Sequence, residues 1–218
     1  MTTSFSKQSP LIKHCHALVL VATAMVSACT TTGSSRAPAR IEIQEQVGFT
    51  IIEETRISSD LRLEYDEAST NLERGQLEQG VQLLEALVEE APQLSAPRID
   101  LGIAYHRTGN LEAAENALLL ALELNPDHPI AHNELGIVYR KTGRFAEARQ
   151  SYQAALAIYP GYHFARRNLA ILCDLYLADL RCALDNYEAY MATVPSDDEA
   201  SMWMTDIRQR LDREEELR

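Results

Sequence analysis

The stretch LGIAYHRTGNLEAAENALLLALELNPDHP, residues 101–129, returns 34 positions later as LGIVYRKTGRFAEARQSYQAALAIYPGYH, residues 135–163. Leu101 and Leu135, Gly102 and Gly136, Tyr105 and Tyr139, Gly109 and Gly143, Ala114 and Ala148, Ala121 and Ala155, Pro126 and Pro160 all coincide. A fixed period of this length marks an array of small units that bury their apolar faces only by stacking on one another. Outward from this pair, Gly75 and Pro92 extend the period toward the N-terminus, and Pro195 extends it toward the C-terminus with one extra residue. The units are therefore 61–94, 95–128, 129–162 and 163–196.

Residues 111–124 and 145–158 carry apolar residues at helical spacing. Small residues recur where two helix backbones must approach: Ala68, Gly102, Gly136 and Ala170 on the first helix of each unit, and Gly80, Ala114, Ala148 and Ala183 on the second. Gly75, Gly109 and Gly143 suit the end of the first helix, where a left-handed residue is wanted. The prolines close the second helix, because proline cannot continue the hydrogen-bond ladder.

Leu-Gly-x-x-Tyr, the turn glycine, the paired alanines and the final proline together resemble the tetratricopeptide repeat (TPR). The resemblance implies an all-α, right-handed solenoid of four helix-turn-helix repeats with a C-terminal capping helix. It also implies a non-catalytic role in holding protein partners across the concave face of the first helices, with no cofactor. The inward register positions are Arg62 and Tyr65 in the first unit, Ile99, Ile103 and His106 in the second, Asn133, Ile137 and Arg140 in the third, and Phe164, Arg167 and Ile171 in the fourth. Ile103, Ile137 and Ile171 share one register, which reads either as an apolar stripe for a partner segment or as helix-to-helix packing. Arg140, Arg167 and Asn133 border it. TPR proteins that grip a chaperone's C-terminal carboxylate use a Lys/Asn/Arg set, and the lysines are missing here, so that specificity does not carry over.

The end units deviate. Glu67 stands where later repeats have leucine, and the fourth unit lacks the turn glycine, its insertion falling between Cys173 and Cys182. These two cysteines read either as a disulfide clamping the irregular turn or as two packed thiols. Ser196 and Glu199 have capping-box spacing ahead of a helical face of Ala200, Trp203, Met204, Ile207 and Leu211. The charged tail, 212–218, is expected to fray. Ile41, Ile43, Val47, Phe49 and Ile51 alternate like a strand, but no partner strand is visible, and a loosely ordered segment is expected for 41–58.

Residues 1–28 carry Lys7 and Lys13 ahead of the apolar run ALVLVATAMVSA, 17–28. That run is too short to span a bilayer, which takes ~20 apolar residues, and reads as a cleaved export signal. Val26-Ser27-Ala28-Cys29 followed by TTTGSS resembles the lipobox of bacterial lipoproteins, which implies cleavage before Cys29 and its acylation. Thr30 in place of the aspartate that retains lipoproteins in the inner membrane implies the periplasmic face of a Gram-negative outer membrane, or the cell membrane otherwise. Residues 29–60 then form a membrane-proximal linker. An ordinary signal peptide with an incidental cysteine is the alternative.

The whole chain has 218 residues, with 20 Lys+Arg against 32 Asp+Glu. Removing 1–28 takes away two lysines and no acids, leaving a charge of −14. No basic stripe is present for phosphate contacts, which excludes a nucleic-acid ligand. His128 and His132 are four apart, but Pro129 between them argues against a helical zinc pair, and no nucleophile or phosphate-loop motif occurs. The expected partners are proteins of the cell envelope, with pilus, secretion, peptidoglycan or energy-transduction machinery as contexts. Recruitment of cell-wall enzymes and self-association of a structural lipoprotein are the competing readings. Cys29→Ser is expected to abolish palmitate incorporation in growing cells and to release the protein from the membrane fraction; retained label on that variant overturns the lipobox reading.

Overall fold

A computed structural model of the chain describes residues 40–44, 48–52 and 57–217. The expected export signal, Cys29 and most of the expected linker lie outside the described residues. Two separate units are present, divided after Arg56.

In the first unit, β1 (Arg40–Gln44) pairs antiparallel with β2 (Gly48–Ile52), Ile41 opposite Ile51 and Ile43 opposite Phe49. The alternation seen in the sequence is thus a hairpin. The strand without a visible partner has one in its own chain neighbour, three residues on, so the expectation of a loose segment is corrected.

The second unit contains nine helices among the described residues. They are α1 (Ser59–Glu73), α2 (Leu77–Glu90), α3 (Ala96–Thr108), α4 (Leu111–Leu124), α5 (Pro129–Lys141), α6 (Phe145–Ile158), α7 (His163–Leu175), α8 (Leu180–Met191) and α9 (Asp198–Glu216). Each packs on the next, and α1, α3, α5 and α7 also touch in succession, whereas the second helices make no comparable contacts with one another. The first helices therefore form the inner layer of an all-α repeat array.

The helix starts are chemically specified. Ser58, Asn110, Asp179 and Asp197 each accept a backbone N–H three residues on, at 3.0–3.3 Å, as N-cap residues do. The α9 cap is Asp197, not Ser196, which corrects the capping-box assignment by one residue. Helix α9 also runs on through the charged tail to Glu216, where the sequence suggests fraying.

Gly75, Gly109 and Gly143 take φ of 78°, 86° and 78°, the left-handed region that a side chain disfavours. In the fourth turn Ala178 adopts φ 51° instead. There a disulfide joins Cys173 to Cys182 across 5.9 Å between Cα atoms, and Asp179 N–H donates to the Cys173 carbonyl at 2.8 Å. Closing a loop of about ten residues is worth ~2–3 kcal/mol in the chain-entropy account, enough to offset one strained residue.

Within each repeat a large side chain on the second helix seats on a small residue of the first. Leu118 fills the space above Gly102, and Tyr152 the space above Gly136. Both side chains are fully buried. A Cβ placed on Gly136 falls 2.5 Å from Tyr152 Cε1 and one on Gly102 falls 2.6 Å from Leu118 Cγ, well inside contact distance. Gly136→Ala is expected to lower unfolding stability by about 1–3 kcal/mol, the usual cost of overpacking; urea denaturation followed by helicity checks this, and an unchanged midpoint shows that the helix pair can open without cost.

Candidate functional site

The inner face of the first helices divides into residues spent on packing and residues left for contact. Tyr65, Ile99 and Asn133, expected to face inward, are buried between neighbouring helices and offer no surface. Tyr65 OH donates to Asp100 Oδ2 at 2.6 Å, and Asn168 Nδ2 donates to Asn133 Oδ1 at 3.0 Å, so each ties its helix to the next repeat. Ile103, Ile137 and Ile171 remain partly exposed in one register along α3, α5 and α7. Arg62 is exposed at one end and Phe164, 41% exposed, stacks on His163 at the other.

The two arginines expected to rim this face differ. Arg167 Nη2 meets Glu199 Oε2 at 3.2 Å, its Nε lies 3.8 Å from Asp197 Oδ2, and the guanidinium sits over the Trp203 ring. Its charge is taken up by α9, so it is a fastener for the terminal helix and not part of a basic rim. Arg210 does the same from the other side, with Asp174 at 2.6 Å. Arg140 keeps its charge free of any carboxylate partner among the described residues. Its Nη1 donates a long bond of 3.4 Å to Tyr176 OH, the guanidinium stands 5.7 Å from that ring, and its buried Nε has no partner. Tyr176 is held in place by stacking on Phe145 at 4.9 Å, within the loop that the Cys173–Cys182 disulfide closes.

Three groups at this face escaped the sequence reading. Tyr152 aligns with Leu118 and reads in sequence as packing, which it is, but its buried hydroxyl also lies against the Arg140 guanidinium, near Tyr176, with no acceptor for its proton. Burial pushes its pKa up to about 12, and the nearby guanidinium works against the rise. Asp100 and Glu134 repeat at one register, a 34-residue recurrence of carboxylates visible in the sequence itself. Burial raises Asp100 to about 6 despite the Tyr65 bond, and raises Glu134 to about 7 despite the 3.1 Å bond from Asn133 Nδ2. His106 Nδ1 lies 4.0 Å from Glu134 Oε2. Burial, then the charges of Lys141, Arg140 and Arg107, lower His106 to about 4, so near neutral pH it is an uncharged neighbour and no ion-pair partner.

No arrangement among the described residues suits metal or nucleophilic chemistry. His128 caps α5, its Nδ1 accepting Ala131 N–H at 3.4 Å, and His132 Nε2 is bonded to the Pro126 carbonyl at 2.8 Å. Cys173, Asp179 and Cys182 bring ligand-type atoms within 4.8 Å, but the sulfurs are joined to each other and Asp179 is bonded to Cys182 N–H and Arg149. Among the described residues no helix is long and apolar enough to cross a membrane.

The raised pKa of Glu134 has a consequence for stability. Below its ordinary value of 4.5 the carboxyl is protonated in both folded and unfolded chains, with no penalty. Between 4.5 and about 7 only the unfolded chain ionises, and above about 7 the folded chain carries the full cost of a desolvated carboxylate. Glu134→Gln is therefore expected to leave stability near wild type at pH 4.5 and to raise it by on the order of 2 kcal/mol at pH 8. Paired thermal melts at the two pH values check this, and a gain that is the same at both removes the titration as its cause.

The tetratricopeptide repeat family profile matches residues 65–122 and 99–163. The fold is similar to that of MamA (residues 41 to the end) from Desulfovibrio magneticus RS-1, at 20% identity over 72% of this chain and 88% of that one, with a TM-score of 0.63. It is similar also to TTC0263, a thermophilic TPR protein of Thermus thermophilus, at 26% identity over 69% and 82%, with a TM-score of 0.59. The first TPR of Spaghetti (RPAP3), bound to the HSP90 peptide SRMEEVD, matches at 21% identity over 54% and 92%, with a TM-score of 0.51. No curated protein is a significant match in sequence. Matched segments and helix packing together show that this chain carries tetratricopeptide repeats over residues 65–163.

Proposed function

We propose that this chain is a lipid-anchored envelope protein, acylated at Cys29 and exposed to the periplasm, whose repeat array holds a segment of a protein partner against α3, α5 and α7 to scaffold an envelope complex. The observation that carries the binding face is the row of Ile103, Ile137 and Ile171. Three isoleucines in the same register of successive first helices stay partly exposed while the neighbouring positions Ile99 and Asn133 are packed away. If packing were their only role, they would be buried like those neighbours. A TPR fold of this kind holding a peptide, as in the Spaghetti structure, supports the same use here. The lipobox, the export signal and an acidic mature chain support the location.

The role is one of holding and placing. The groups that line the face bind, orient and exclude water, and nothing among them is arranged as a nucleophile with its base. Crosslinking in intact cells followed by affinity purification tests the proposal, comparing wild type with an Ile103→Glu, Ile137→Glu double variant of unchanged helicity. The expected result is an envelope protein captured by wild type and lost at least tenfold with the variant. An equal yield from both moves the binding site off this face.

A further inference from the structure

Arg140 is a positive charge left unneutralised on a strongly acidic protein. Arg144, Arg149, Arg167 and Arg210 each hold a carboxylate at 2.6–3.2 Å, while Arg98 and Arg166 are bonded to the carbonyls of Pro92 and Pro160. Among the described residues Arg140 has two phenols and no acid beside it, Tyr152 and, through a long bond, Tyr176, and its Nε is buried and unpaired. Beside it the hydroxyl of Tyr152, on a side chain with no exposed surface, presents its oxygen to the guanidinium and has no acceptor for its own proton. A buried donor without a partner costs ~1–3 kcal/mol, and native structures keep few of them without a reason. Two such donors side by side, one of them on a cation, describe a place where an acceptor belongs.

The acceptor's chemistry follows from the donors. A guanidinium N–H and a phenolic O–H both donate to an anionic oxygen, and the planar guanidinium suits a carboxylate. Lys141, on the helix that carries Arg140, adds to the positive field. The site lies on the same helix as Ile137, so an anion bound there sits next to the apolar row.

We infer that Arg140 and Tyr152, with Tyr176 as the side wall, form an anchoring subsite that takes the carboxylate of an Asp or Glu side chain within the partner segment lying along the isoleucine row. This rests on the binding face proposed above, and names the partner chemistry as an acidic residue flanked by apolar ones. The occupant is a protein segment because the apolar row continues directly from the subsite, which gives a lone small anion nothing to bury.

The test uses the purified protein and displayed twelve-residue peptides with blocked C-termini, selected on wild type and on Arg140→Gln, Tyr152→Phe and the Ile103→Glu, Ile137→Glu variant, each checked for native helicity. The expected result is enrichment of an Asp or Glu among apolar residues on wild type. Changing that acid to its amide, or Arg140 to Gln, should weaken binding about tenfold, and Tyr152→Phe should weaken it severalfold without changing which apolar residues are chosen. Peptides that need the isoleucines but bind equally well with the amide, or equally well to Arg140→Gln, leave the binding face standing and overturn the anchor. Selection of no peptide that depends on the isoleucines overturns the face and the anchor with it. A preference for acids only at a free C-terminus, seen when unblocked peptides are compared, overturns the assignment to an internal side chain.

Discussion

The array depends on one steric constraint, the approach of two helix backbones at a residue without a side chain or nearly so. Gly102 and Gly136 admit Leu118 and Tyr152 at distances that leave no room for a methyl group. Because the two helices of a repeat are set by that contact, the first helix of each repeat is presented at a fixed angle to the first helix of the next. The inner row of α1, α3, α5 and α7 is the outcome. Hydrogen bonds such as Tyr65 to Asp100 and Asn168 to Asn133 then hold register between repeats without supplying the main stabilisation, since a net intramolecular hydrogen bond is worth only about 1 kcal/mol.

The fourth repeat shows what happens when a piece of the pattern is missing. Its turn has no glycine, and Ala178 takes the left-handed conformation. The chain compensates covalently, by the Cys173–Cys182 bridge, and electrostatically, by Arg149 on Asp179 at 3.1 Å. Those supports also hold the loop that carries Tyr176 against Phe145 and over Arg140. An irregular turn thus becomes a wall of the binding face. Regular turns after Gly75, Gly109 and Gly143 place no such aromatic there.

The fold was legible because the signals that specify it are periodic. Gly, Ala and Pro at a spacing of 34 state where backbones touch and where helices stop, and those are properties of a single residue type. The hairpin was less legible because its two short strands pair only with each other, and alternation alone does not identify a partner. The site was half legible for a related reason. Register told which positions lie on the inner helices, but not which of them the next repeat covers: Ile99 and Ile103 are four apart on the same helix, one buried and the other open. Arg140 and Arg167 looked alike in sequence, and only the arrival of α9 from beyond the last repeat separates them. That contact spans 32 residues and leaves no trace in local pattern.

The charge on the inner face is best understood as a consequence of how the array ends. Along the solenoid each first helix meets acids from the repeat that follows. Asp100 reaches back to Tyr65, Glu134 toward His106, and the acids of α9 to Arg167. At Arg140 the row breaks, because the following repeat carries Asn168, bonded to Asn133, at the register of Asp100 and Glu134, and Arg140 meets Tyr176 instead. Asp100 and Glu134 are themselves pushed toward their neutral form by burial. A protein with a strong negative charge would repel an acidic ligand over most of its surface, and long-range repulsion is screened within ~8–10 Å at physiological salt. Attraction at short range is then strongest where the row breaks at Arg140, with Lys141 on the same helix adding to it, and an acidic partner segment is drawn to that register of the inner helices.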